Sequence, residues 1–132
     1  MINNKFQQEE KVSICLDSGN TLNAAAISLN YYNYLKEKEV IPVQHTLKRS
    51  NLHRAGPNGK KLKTNGILHF PIDFTDGNRL HFTLEKFHVI SDLCNNFNFG
   101  KAVLNQLDTV WIFKDQHVTL LGEELALNKA KR

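Results

Sequence analysis

Apolar and polar residues alternate most regularly on either side of Asp76-Gly77-Asn78. Leu68, Phe70, Ile72 and Phe74 alternate with His69, Pro71 and Asp73, and Leu80, Phe82 and Leu84 alternate with His81, Thr83 and Glu85. A period of two is that of a strand with one buried face, so the segment predicts a β hairpin. Both apolar sets fall on even numbers and share a face only across an odd-length loop, which Asp76, Gly77 and Asn78 supply. That register sets Phe74 opposite Leu80 and Ile72 opposite Phe82. Pro71 lacks an N–H and implies an edge or a bulge at its position.

The same reading extends along the chain. Lys11 to Leu16 predicts a strand with Val12, Ile14 and Leu16 on one side, broken by a turn at Asp17, Ser18, Gly19 and Asn20. Leu22 to Ile27 resumes an extended run, although Ala24, Ala25 and Ala26 would also suit a helix. Ser28 then caps a short helix through Tyr31, Tyr32, Leu35 and Lys38, with Pro42 soon after it. Gly56, Pro57, Asn58 and Gly59 are turn chemistry between two extendable arms, a hairpin tip. Phe87 to Ile90 is extended, Asn95 to Gly100 reads as a polar and aromatic turn, and Lys101 to Leu107 as a short helix with Val103, Leu104 and Leu107 on one side. Val110, Ile112 and Val118 to Leu121 give two last strands, and Gly122 to Arg132 a charged helix or linker. Many short strands with few helices indicate an all-β barrel or sandwich.

Length and composition narrow the class. A chain of 132 residues, 41% hydrophobic and 23% charged, suits one globular domain. No run of 18 apolar residues occurs, and the start has no basic-then-apolar leader, so no membrane role is expected. Two cysteines, Cys15 and Cys94, are too few for a disulfide scaffold and read as packed thiols in a reducing, intracellular setting. The formal charge of +4 is local: between Val40 and Ile72 stand Lys48, Arg49, Arg54, Lys60, Lys61 and Lys63 and no acidic residue. Such a stretch binds nucleic acid, steers acidic substrates or keeps a surface solvated.

The candidate chemistry lies at Asp17-Ser18-Gly19, directly after the apolar strand VSICL. Glycine lets the backbone turn tightly beside the carboxylate. An Asp-Ser/Thr-Gly string arises by chance in roughly one chain in twenty of this length, so the triplet alone is a weak signal. Its surroundings are more specific. From about Lys11 to Leu121 the segments VSICLDSGNT, LNAAAIS, AGPNGKKL, the ILHFPIDF and RLHFTLEKF pair, NFNFGKAVLNQL and TVWIF follow one another in the order of the retropepsin-like aspartic proteases. The chain resembles that family, and most of all the proteases of retrotransposon or endogenous retroviral polyproteins.

The resemblance implies a small closed β-barrel with one or two short helices, spanning 11–121 between a polar lead-in (1–10) and a charged tail (122–132). It implies Asp17 as the catalytic carboxylate, framed by Ser18, Gly19 and Asn20. Gly56, Pro57, Asn58 and Gly59 become a flap tip, Gly100 closes the loop behind the site, and Leu22, Ile67, Phe97 and Phe99 line substrate pockets. The sequence departs from the family pattern in places. Asn20 stands where Ala or Ser is frequent, and Asn98-Phe99 precedes Gly100 in place of the usual apolar pair. Thr21 and Lys101 stand where many retroviral members carry an acid and an Arg that pair.

One triplet supplies one carboxylate, and the reaction needs two, because a shared proton makes one an acid and the other a base toward a bridging water. The resemblance therefore implies a symmetric homodimer with Asp17 of each copy at its axis, cutting an extended peptide or polyprotein without metal or cofactor. The setting it implies is the cytoplasm or an intracellular virus-like particle. The main rival is a catalytically silent dimeric domain of the same fold that binds peptides or serves assembly. A metal site lacks any CxxC, HxxxH or HExxH spacing. Nucleic-acid binding is the weaker reading, since Tyr31, Tyr32, Tyr34 and Trp111 sit on other segments than the basic run.

Overall fold

A computed structural model of the chain describes residues 2–3, 9–17, 24–49, 53–55, 61–76, 80–112 and 117–126. Its longest pairing joins β6 (Lys61–Asp76) to β7 (Leu80–Ile90), antiparallel. Leu68, Ile72, Phe74 and Leu80 bury one face, while His69, Pro71, His81, Thr83 and Glu85 are exposed. The loop has odd length, as the shared parity requires, but it spans 77–79. The register is consequently two residues from the expected one: Phe74 faces Phe82 and Ile72 faces Leu84. The rings of Phe74 and Phe82 stack at 5.2 Å, a cross-strand aromatic pair that favours this register. The pairing shifts between His69 and Ile72, so Pro71 falls in a bulge.

The other strands build outward from this pair. β4 (Ala25–Ser28) lies parallel to β7 and antiparallel to β8 (Phe97–Phe99), which in turn pairs in parallel with β3 (Ile14–Leu16). All of Ala24 to Ser28 is buried, so this segment is a central strand in which small side chains fit between neighbours on both faces. On the other side β6 carries β1 (Ile2–Asn3), and β1 carries β2 (Glu9–Glu10). β5 (His53–Ala55) pairs with the start of β6. The segment 95–100, expected as a turn, contains β8, because burying both Phe97 and Phe99 requires an extended backbone.

The expected barrel is not closed. The sheet runs β2-β1-β6-β7-β4-β8-β3, and no backbone pairing joins β2 to β3 among the described residues. These edge strands are separated by only Lys11–Ser13, which spans about 10 Å when extended, so the sheet curls until its edges stand near each other. With two residues in β2, there is no ladder to complete the ring.

Among the described residues two helices cover the sheet. α1 (Leu29–Glu37) begins at Ser28, whose hydroxyl accepts from the Tyr31 N–H, and buries Tyr32 and Leu35. α2 (Lys101–Gln106) buries Val103 and Leu104, with Leu107 just beyond its end. A second sheet joins β9 (Val110–Ile112), β10 (His117–Leu120) and β11 (Glu123–Ala126). The start of the expected helical or linker tail is thus a strand. Leu121 and Gly122, both with positive φ, form the two-residue turn between β10 and β11 that suits a tight hairpin. Among the described residues no helix is long and apolar enough to cross a membrane.

Candidate active site

Asp17 lies one residue past the end of β3. β3 pairs with β8 so that Ile14 faces Phe97 and Leu16 faces Phe99. The next contact along the ladder is from the Asp17 N–H to the Phe99 carbonyl, 2.9 Å. The half-buried carboxylate residue is therefore fixed through its own backbone to the strand that runs into Gly100. Gly100 is buried and is the N-cap of α2, its carbonyl accepting from the Leu104 N–H at 3.0 Å. Strand end and helix start thus meet at one point behind Asp17.

The other end of β3 is clamped by a pair that sequence reasoning missed. The Ser13 N–H and hydroxyl both donate to Asn96 Oδ1, at 2.9 and 3.2 Å, and the Asn96 N–H donates to Ser13 Oγ at 3.0 Å. The Phe97 N–H donates to the Ser13 carbonyl, and the Ser28 N–H to the Asn96 carbonyl. Asn96 joins the starts of β3 and β8 to the end of β4. The two partners are 83 residues apart, and neither carries a local motif that announces the other.

The remaining expected site residues fall into two groups. Ser18, Gly19, Asn20, Thr21 and Leu22, and the tip residues Gly56, Pro57, Asn58 and Gly59, lie outside the described residues. The arms of the tip are present as the β5–β6 hairpin, with Ala55 opposite Lys61 and His53 opposite Lys63. Ile67 is half-buried and exchanges two backbone hydrogen bonds with Lys48, at 2.8 and 2.9 Å. Phe97 and Phe99, expected in substrate pockets, are both 0% exposed and sit in the core, where their rings meet Phe74 edge-on at 4.9 and 5.5 Å. Lys101 is exposed at the start of α2.

Other polar clusters are more peripheral. Tyr31 and Tyr34 stack at 5.6 Å, and their hydroxyls donate to the two carboxylate oxygens of Glu10, at 2.9 and 3.0 Å. Burial, and then the Glu10 carboxylate, push the Tyr31 phenol well above its ordinary pKa; the same carboxylate raises Tyr34. On the β6–β7 hairpin, Thr83 Oγ1 donates to Asp73 Oδ1, with His81 Nε2 4.0 Å from the same oxygen. No cluster of three or more His, Cys, Asp or Glu suited to a metal occurs among the described residues. Cys15 is half-buried on β3; Cys94, expected to pack, is exposed because the bend after β7 turns it outward.

Comparison of the sequence with protein families and with curated proteins finds no match. Among solved structures the chain is similar to the retroviral protease-like domain of Ddi1 from Leishmania major, with a TM-score of 0.59 and 14% identity. The likeness covers 96% of this chain and 87% of that one. At that identity the likeness is one of architecture, and the architecture of this chain is the retropepsin-like one, with its sheet left open.

Proposed function

We propose that the chain is an aspartic endopeptidase that cuts extended peptide segments, with Asp17 as its carboxylate and a second copy supplying the other. The observation that carries this reading is the backbone bond from Asp17 to Phe99, which holds a carboxylate at the end of a strand within a retropepsin-like fold. In the reaction, one Asp17 is ionised and draws a proton from a bridging water as that water attacks the scissile carbonyl. The other, protonated, donates to the carbonyl oxygen. Two carboxylates sharing one proton titrate as a pair, so the pH profile of cleavage belongs to both copies. The β5–β6 hairpin serves as the flap, and polyprotein processing is the natural role for such an enzyme.

A second reading, a catalytically silent peptide-binding or assembly domain, is favoured by one observation. The terminal strands pair within the chain: β1 with β2 and β6, and β10 with β9 and β11. Those strands are thereby paired without a second copy, while among the described residues β2 and β11 each keep one outer edge. Sedimentation over a concentration series, run beside cleavage of a mixed peptide library at acidic and neutral pH, separates the two. Cleavage that rises with dimer fraction and is blocked by a statine-type inhibitor supports the endopeptidase. A dimer or monomer that cleaves nothing at any concentration supports the silent domain.

A further inference from the structure

The net positive charge of this chain arises in one segment. The segment Val40–Ile72 carries six Lys and Arg and no acid, leaving eleven basic against thirteen acidic residues for all the rest. The fold sets two described parts of this segment, Lys48 and β5, along one edge of β6. Lys48 bridges Ile67 through two backbone hydrogen bonds, and further along the same strand His53–Ala55 pairs with Lys61–Lys63. Lys48 and Arg49 are exposed. Gly66 makes the approach close: a Cβ there would stand 2.9 Å from both Leu47 Cβ and the Lys48 carbonyl oxygen. β6 pairs with β7 only from Thr64 onward, so the hairpin of β5 with Lys61–Lys63 extends past the main sheet. Among the described residues β5 has one neighbouring strand, which leaves its other edge for an added peptide strand.

We infer that this edge selects extended peptides carrying acidic residues beside the segment held in the site, with the exposed Lys48 and Arg49 as specificity-determining cations. The inference rests on the reading of the site as one that takes an extended peptide. A backbone-paired strand fixes the register of its side chains against the edge, and acids on it meet a net positive field that no residue of the same segment offsets. The tyrosines of α1 lie on another element than this edge.

The test is fluorescence anisotropy with the full chain, using labelled peptides of one central sequence and acidic, neutral or basic flanks, beside an RNA oligonucleotide of matched charge. Acidic flanks should tighten binding on the order of tenfold at low salt, and the advantage should shrink as salt rises. Lys48→Ala/Arg49→Ala should narrow the preference, and Lys48→Glu/Arg49→Glu should narrow it further, both side chains being exposed and the bridge being backbone. Equal affinity for all three peptides, binding of none, or tighter binding of the RNA overturns the inference. Cleavage of the neutral peptide without any flank effect leaves the endopeptidase reading standing alone. Acid-selective binding without cleavage does the reverse.

Discussion

The Asp17 amide and the Phe99 carbonyl are joined by a 2.9 Å hydrogen bond that continues the parallel pairing of β3 with β8. Because Phe99 is wholly buried, the acceptor is anchored in the core, and the position of the carboxylate inherits the rigidity of packed aromatic rings. A site carried one residue beyond a strand end is placed by the strand itself.

On the proposed reading, Asp17→Asn removes the proton-transfer group while keeping the shape and the backbone bond. Peptide cleavage should fall by about 10²–10⁴-fold or more, with an unchanged unfolding midpoint. Assay of peptide hydrolysis beside thermal melting checks both halves, and cleavage at the unmodified rate would remove Asp17 from the reaction.

Phe74 connects the hairpin to the site. Its ring stacks on Phe82 and meets Phe97 and Phe99 edge-on, all within 5.5 Å between centroids. Phe74→Ala should cost about 3–5 kcal/mol from lost burial and the cavity left behind. Phe74→Leu should cost clearly less, as measured by urea denaturation.

Much of this was legible in the residues. The even-numbered parity around Asp76 gave the right faces and an odd loop, and Ser28 announced its helix by capping chemistry. The register slipped by two because parity is indifferent to such a shift, and only the Phe74–Phe82 stack distinguishes the two pairings. β8 was hidden because Asn95, Asn96 and Asn98 look like turn residues locally, whereas its stability comes from β3 and β4, both distant in sequence. The Leu121–Gly122 turn was hidden by Leu, an unusual residue at positive φ. Asp17 itself stood out through its triplet, but the Ser13–Asn96 clamp had no sequence signal at all.

That clamp predicts a separable defect. Asn96→Ala removes the acceptor used by both the Ser13 N–H and its hydroxyl, at a partly solvated position, so the expected loss is about 1 kcal/mol. The start of β3 should loosen, and catalysis should suffer more than stability because near-attack geometry is sensitive to small displacements. Comparing kcat/KM with the urea midpoint for Asn96→Ala and Asn96→Asp checks this. Asn96→Asp keeps the acceptor and should retain most of the activity.

The phenols of Tyr31 and Tyr34 predict a pH dependence at the alkaline end. Burial and the Glu10 carboxylate raise the Tyr31 pKa in the folded chain, so the folded state holds its proton more tightly than the unfolded state does. The stabilisation is complete below the unfolded phenol pKa of about 10 and is lost as pH rises beyond it, by up to about 1.4 kcal/mol per pH unit. Tyr31→Phe should be less stable at neutral pH and should lose part of this alkaline slope. Urea unfolding of both proteins between pH 8 and pH 11 gives the comparison.

Gly66 sets how closely the basic segment lies on β6. Its φ of +134° is strained for any side chain, and a Cβ would meet the Lys48 carbonyl oxygen at 2.9 Å, a backbone atom that cannot swing aside as a side chain would. Gly66→Ala should therefore cost about 1–3 kcal/mol from the conformation alone, with the contact adding to it. The damage should be local first. The Lys48–Ile67 bridge must open for the new methyl to fit, which detaches the segment ahead of β5 while Phe74, Phe97 and Phe99 keep the core together. Amide hydrogen exchange should show faster exchange at Lys48 and Ile67 with little change at Phe74 and Phe97. Uniform acceleration across the chain would place Gly66 in the global folding unit and not in a separable edge.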